Sequence, residues 1–221
     1  MEFKSRIDTT FQRKAFLRPL FYSYNDGLRF ELSEGGSKIH QFLLAMQKAT
    51  AVCNYIFDEE KPISVCLRIR FYKAKFAYRR ELSELTSAGI KIPRKIKEIW
   101  IDLEEKDDWN DAHVQDWWIN VAFDIPMDLL QNILWCALSH DFGSIRPNPR
   151  CIVYLFNFEK EIIVRPYDDR GMDVAGGNKG FLFKMYMKHS AYLLDYDREG
   201  MDDSFKTFNR SFDTNASRLS T

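Results

Sequence analysis

Acids set beside arginines, at the ends of apolar runs, are the residues of this chain best equipped for chemistry. Tyr167-Asp168-Asp169-Arg170-Gly171-Met172-Asp173 closes one apolar run, and Leu194-Asp195-Tyr196-Asp197-Arg198-Glu199 closes another further along. A carboxylate next to packed elements is costly unless something neutralises it. Two chemistries fit. Asp168, Asp169, Asp173, Asp195 and Asp197 could gather on a divalent cation and support hydrolysis, as in metal-dependent nucleases. Alternatively Arg170 and Arg198 clamp carboxylates through paired hydrogen bonds. The spacing matches no known metal loop, the EF-hand included, and this favours pairing. On the pairing reading Gly171 takes the positive φ of a tight turn. Asp197 caps a helix, with Glu199 in its first turn. The two segments would then meet in space and lock the last helix onto the preceding hairpin. Together with Trp118, the residues Asp168, Asp169, Arg170, Asp173, Asp195, Asp197 and Arg198 are the candidate binding surface. No residue is assigned a catalytic role.

Four other groupings carry weaker signals. Cys136 and His140 stand four apart, so on one helix they would share a face and could form a thiol–imidazole pair. An inert buried thiol and a histidine near a helix C-terminus explain them equally well. Gly176-Gly177-Asn178-Lys179-Gly180 precedes a helix but lacks both common phosphate-loop patterns. Arg68, Arg70, Lys73, Lys75, Arg79 and Arg80 interleave with Phe71, Tyr72, Phe76 and Tyr78. Such a mixture suits nucleic-acid backbone and base stacking, an acidic partner, or an amphipathic helix with its stems packed down. Trp109, Trp117 and Trp118 lie close together beside acids. Neighbours on a strand point to opposite sides, so one of Trp117 and Trp118 goes to the core and the other could anchor an interface. His113 and His189 stand alone and read as surface or capping residues.

The elements that position these residues are legible from periodicity. Leu28 to Leu32 alternates apolar and polar residues like a half-buried strand, and Gly35-Gly36 ends it. Ser37 offers a helix N-cap, and Ile39, Phe42, Leu43, Met46, Ala49, Val52, Cys53 and Ile56 follow at helical spacing. Pro62 opens a strand through Val65, Leu67, Ile69 and Phe71, with Arg68 and Arg70 facing the other way. A helix-favouring stretch runs from Lys73 to Leu85. Residues 96–103 and 114–125 read as a hairpin joined by a charged turn. Pro126 opens a helix with Leu129, Leu130, Ile133, Leu134, Ala137 and Leu138 on its apolar face. Residues 143–150 form a loop. Two short strands, 151–158 and 161–167, turn at Asn157 to Lys160. Asp168 to Gly171 then turns the chain toward Met172, Asp173 and Val174. A helical region bears Phe181, Leu182, Met185, Tyr186, Tyr192 and Leu193, and a short helix near 197–205 follows. Helices and strands are interspersed without regular alternation, and hairpins dominate the second half. The reading is α+β: a mostly antiparallel sheet with helices packed on it, a single domain over 1–206, a seam at 143–150 and a disordered tail at 207–221. The first strand–helix–strand unit could add one parallel pair.

Composition narrows the function. Lys plus Arg is 32 and Asp plus Glu is 32, a formal net charge of +0, so the broad positive field that recruits nucleic acid is lacking. An aromatic share of 15% supplies enough buriable area to expect a real core. No apolar run is long enough to span a bilayer, and Met1 to Arg18 has no apolar signal core. Cys53, Cys66, Cys136 and Cys151 stand singly, as free buried thiols do. A cytoplasmic location follows as the expectation. No cofactor or membrane contact is expected.

The run from Trp135 to Phe205 resembles a family of uncharacterised bacterial proteins known as a domain of unknown function. The resemblance rests on four pieces: the pair Asp141-Phe142 after a helix, the hairpin from Cys151 to Tyr167, the YDDRGMD stretch at 167–173 and the LDYDRE stretch at 194–199. It implies a bacterial protein and, by analogy with small charge-balanced proteins of that kind, an interaction or immunity role. The leading expectation is therefore a non-enzymatic protein-binding protein, of the immunity or antitoxin kind, that neutralises a toxin domain. The alternatives are a metal-dependent hydrolase or nuclease using the Asp cluster, and nucleic-acid binding through the Arg68–Arg80 patch.

Overall fold

The structure, a computed structural model, describes residues 2–57, 61–71, 78–92, 98–103 and 117–206. In chain order the elements are α1 (Phe3–Thr10), β1 (Leu28–Glu31), α2 (Lys38–Ile56), β2 (Ile63–Phe71), α3 (Tyr78–Ser87), β3 (Glu98–Leu103) and β4 (Trp117–Ile125). Then come α4 (Leu130–Leu138), β5 (Ile152–Asn157), β6 (Ile162–Asp168), β7 (Gly171–Gly176), α5 (Lys179–Lys188) and α6 (198–206). The seven strands form one sheet in the order β1-β7-β6-β5-β2-β4-β3. Every pairing is antiparallel. The α+β reading with an antiparallel sheet therefore holds. The expected parallel pair does not form. β1 pairs with β7, far along the chain, and β2 lies four places away in the sheet between β5 and β4.

Strand alternation sorts the side chains onto two faces. On β2, Ile63, Val65, Leu67, Ile69 and Phe71 enter the larger core, beneath α2, α4 and α5. Val52, Ile133, Leu134, Leu182 and Met185 join this core from the helices, α2 and α4 lying over β6, α4 also over β5, and α5 over β7. Ser37 caps α2 by accepting a hydrogen bond from the His40 N–H. The helix is turned differently from the simple spacing, because Ile39 and Leu43 are exposed while Phe42, Ala45 and Ala49 are buried. Phe42 is held edge-on by Trp135 and Phe142 across the gap to α4, which settles the rotation.

The opposite face has a core of its own: Ile7, Phe11, Ala15, Leu20, Cys66, Ala122, Tyr154, Phe156, Ile163 and Ala175. Residues 3–24 supply its lid. This segment starts over β3 and β4 with α1 and ends over β7 with a short 3-10 turn, Phe21–Ser23. Periodicity misses α1, since Ile7 is the only buried residue of its eight. What holds the segment in place is tertiary. Phe11 packs 5.4 Å from the Phe156 ring, and Phe16 meets Tyr154 edge-on at 5.1 Å.

Candidate functional site

Arg29 sits on β1 between Leu28 and Phe30, which enter the larger core, so its side chain goes to the opposite face. Its Nε donates to Asp173 Oδ1 at 2.8 Å, and its Nη1 donates to Asp197 Oδ2 at 2.9 Å. Asp173 is 1% exposed, and its second oxygen accepts the Phe21 backbone N–H at 3.2 Å. Asp197 also accepts the Tyr22 hydroxyl at 2.9 Å. The Phe21 and Tyr22 rings stand 4.8 and 5.1 Å from the guanidinium carbon. Burial alone would lower the Arg29 pKa, but the hydrogen bond and charge of Asp173, aided by Asp197, hold it above its ordinary value. The two acidic segments are thus joined, and Arg29 from the first strand is the joint.

The other acids separate from this group. Asp168 accepts the Arg170 backbone N–H at 2.8 Å and its Nε at 2.9 Å. Asp141, in the loop after α4, lies 3.7 Å from the same guanidinium. Asp169 is buried beside them, and burial, with the Asp168 charge next door, raises its pKa. Arg198 does not clamp any of the candidate acids. It donates to Asp202 at 3.1 Å and to the Ser190 carbonyl at 2.8 Å. Asp195 and Tyr196 are exposed. Asp197 turns its carboxylate to Arg29 and Tyr22, so it does not cap the following helix. Gly171 is not at positive φ. It is glycine because a Cβ there would stand 1.9 Å from the Tyr167 Oη. Burial pushes that tyrosine's pKa up to about 12.

Two further expectations are corrected. Trp118 is 4% exposed, with Arg18 and Arg68 each 5.0 Å from its ring, and Trp117 packs against the larger core. Neither is a free anchor. Cys136 is buried on α4, but the helix ends at Leu138 and His140 lies beyond it in solvent, so the two share no face. All four cysteines are free and buried. Burial pushes Cys53 and Cys136 up to about 12, which keeps them as thiols. His189 follows the last residue of α5 and is buried, and burial, with the Lys188 charge, lowers its pKa. Lys179 of the glycine stretch reaches Asp26 at 2.6 Å, and Asn178 caps α5. Of the basic–aromatic patch, Arg68 is buried, Phe71 is in the core and Arg79 and Arg80 are exposed on α3. Tyr72, Lys73, Lys75 and Phe76 fall outside the described residues, as do Trp109, His113 and the tail at 207–221.

Among the described residues, no group of three or more His, Cys, Asp or Glu is placed to hold a metal ion. No described helix is long and apolar enough to cross a membrane.

The family described as Domain of unknown function (DUF3885) matches residues 3–197. The chain belongs to DUF3885. No curated protein and no solved structure matches it. The DUF3885 match is wider than the stretch that carries the resemblance in sequence. It takes in the lid segment and β1, and so the whole Arg29–Asp173–Asp197 joint. Neither Arg29 nor Tyr22 stood out in the sequence. The alternating pattern at 28–32 assigns Arg29 to the less apolar side of its strand, but its partners are 144 and 168 positions away.

Proposed function

We propose that this protein works by binding another protein, through a groove beside the Arg29 joint. Phe21, Tyr22, Tyr24 and Asn25 form one wall, and Tyr196, Glu199, Gly200 and Asp203 form the other. The observation that carries the reading is the exposure of two tyrosines at this groove, Tyr196 at 86% and Tyr22 at 60%. Aromatic side chains left in solvent over a rigid support are typical anchors of protein interfaces. Here the support is a buried ion network rather than a mobile loop. Asp195 and Glu199 flank Tyr196 in sequence and both are exposed. Their charge suits a partner that presents lysine or arginine, which tyrosine faces also attract. A bacterial toxin domain neutralised by this chain is the specific form of the proposal. In support, Asp173 and Asp197 are engaged by Arg29, and Asp168 by Arg170, leaving few lone pairs for a metal.

The test is affinity capture from the source cells with the wild type and with Tyr196→Ala. Binding of each captured protein is then measured in purified form. A genuine partner is expected to lose at least about tenfold in affinity to Tyr196→Ala, while the melting temperature stays unchanged. If every captured protein binds the two forms equally, the groove is not the recognition surface.

A further inference from the structure

A second cleft opens at the other end of the lid segment, between residues 4–18 and the strands β2, β3 and β4, with a volume of about 430 Å³. That is within the range of small-molecule sites. Its floor is Arg68, 6% exposed. The Arg68 Nε donates to Asn120 Oδ1 at 3.0 Å, and Nη1 donates to the Phe16 carbonyl at 3.3 Å. Its guanidinium lies 4.6 Å from the Phe16 ring centroid. Arg68 forms no ion pair among the described residues.

The acid on the far side of Asn120, Asp102, is already occupied. Asp102 Oδ2 accepts Trp100 Nε1 at 2.9 Å and Asn120 Nδ2 at 2.8 Å, and Oδ1 accepts Lys4 Nζ at 3.3 Å. Asn120, fully buried, stands between that carboxylate and Arg68, its amide turned so that the oxygen faces the arginine. Arg68 is therefore a buried cation with neutral oxygens as its partners. Such a charge is expensive without a counter-anion. Around it the described wall carries Lys4 and Arg13 beside Asp8 and Asp102, and Lys4 is taken by Asp102. Arg13 is exposed at the mouth and forms no ion pair among the described residues. Leu17 and Leu103, both partly in solvent, give the cleft apolar walls beside Trp100.

We propose that this cleft binds a small organic phosphate with a flat ring, of the nucleoside monophosphate kind. Arg68 and Arg13 take the phosphate, which two guanidinium groups grip with charge-assisted hydrogen bonds. Trp100 and Leu17 take the ring. The site is independent of the tyrosine groove and needs no protein partner.

The test is titration of the isolated full-length chain by calorimetry and tryptophan fluorescence, using AMP, adenosine, inorganic phosphate and a twelve-residue single-stranded oligonucleotide. Saturable one-to-one binding of AMP with a change in tryptophan emission is expected. Adenosine and inorganic phosphate should each bind at least about tenfold more weakly. Arg13→Ala, a change at an exposed position, should weaken AMP about tenfold, and Arg68→Gln should weaken it further. Should Arg68→Gln fail to fold, the Arg13→Ala result decides alone. No response to AMP, equal binding by Arg13→Ala, or tighter binding of the oligonucleotide than of AMP would each overturn the proposal. Phosphate binding as tight as AMP would overturn the ring's share and with it the ligand class.

Discussion

Arg29 holds two carboxylates from distant parts of the chain, one of them 1% exposed. Removing one member of a buried ion group leaves the others charged and desolvated, which costs about 3–5 kcal/mol. Arg29→Met is expected to lose that much in urea denaturation at neutral pH. A loss below about 1 kcal/mol would mean that water reaches the pair and that it behaves as a surface ion pair. Asp169 makes a prediction of opposite sense. Its pKa is raised in the folded protein by burial and by Asp168. The folded state therefore holds more protons than the unfolded chain between the ordinary carboxyl value, about 3.9, and the higher folded value. Stability from this group falls as pH rises through that window. Asp169→Asn removes the penalty, so its melting temperature should exceed the wild type's at pH 7 and match it near pH 3. Equal melting temperatures at both pH values would show that Asp169 is solvated. The sequence pointed to these acids correctly as costly groups in need of partners. Arg170 was rightly named, since it clamps Asp168, but Arg29 was missed as the partner of Asp173 and Asp197 because it lies 144 and 168 positions from them.

At the scale of elements, the β6–β7 hairpin shows how a glycine can be recognised for the wrong reason. Gly171 reads as a turn glycine, yet its φ is not positive and the constraint is the Tyr167 hydroxyl lying over it. Gly171→Ala is expected to destabilise by about 1–3 kcal/mol, the cost of forcing an extra methyl into a packed place. Combining it with Tyr167→Ala should recover most of that loss relative to Tyr167→Ala alone, as read by a double-mutant cycle in denaturant. Additive losses would rule out the clash. Strands and long helices were legible here because alternation and three-to-four spacing are local properties. The rotation of α2 was not, because Ile39 and Leu43 have the same spacing as core residues while the aromatic contact of Phe42 with α4 decides which side faces inward.

For the whole molecule the sheet is the organising body, and both candidate sites lie on the face covered by residues 3–24. That lid is tied to the sheet at both ends, by Lys4 to Asp102 and by the Phe21 N–H to Asp173. Between the ties, Phe11 and Leu20 are buried. Phe11→Ala should cost about 3–5 kcal/mol, as large aromatic truncations in cores do. It should also reduce burial of Tyr154 and Phe156, measurable as faster amide exchange on β5. Unchanged exchange on β5 together with a small loss of stability would mean that the lid is dispensable for that core.

Composition and periodicity alone determined the fold class, most strands, the long helices, the free buried thiols and the need to neutralise the acids. These follow from local rules: alternation, helical spacing, capping and the cost of burying charge. The tertiary structure alone decided that Arg29 joins Asp173 to Asp197, that Trp118 is covered, that α1 exists, and that Arg68, at the base of a cleft, has no carboxylate partner among the described residues. Each depends on a contact between residues far apart in sequence. A sheet whose edge strand β1 pairs with β7 brings such residues together by closing long stretches of chain, which no pattern of neighbouring residues records.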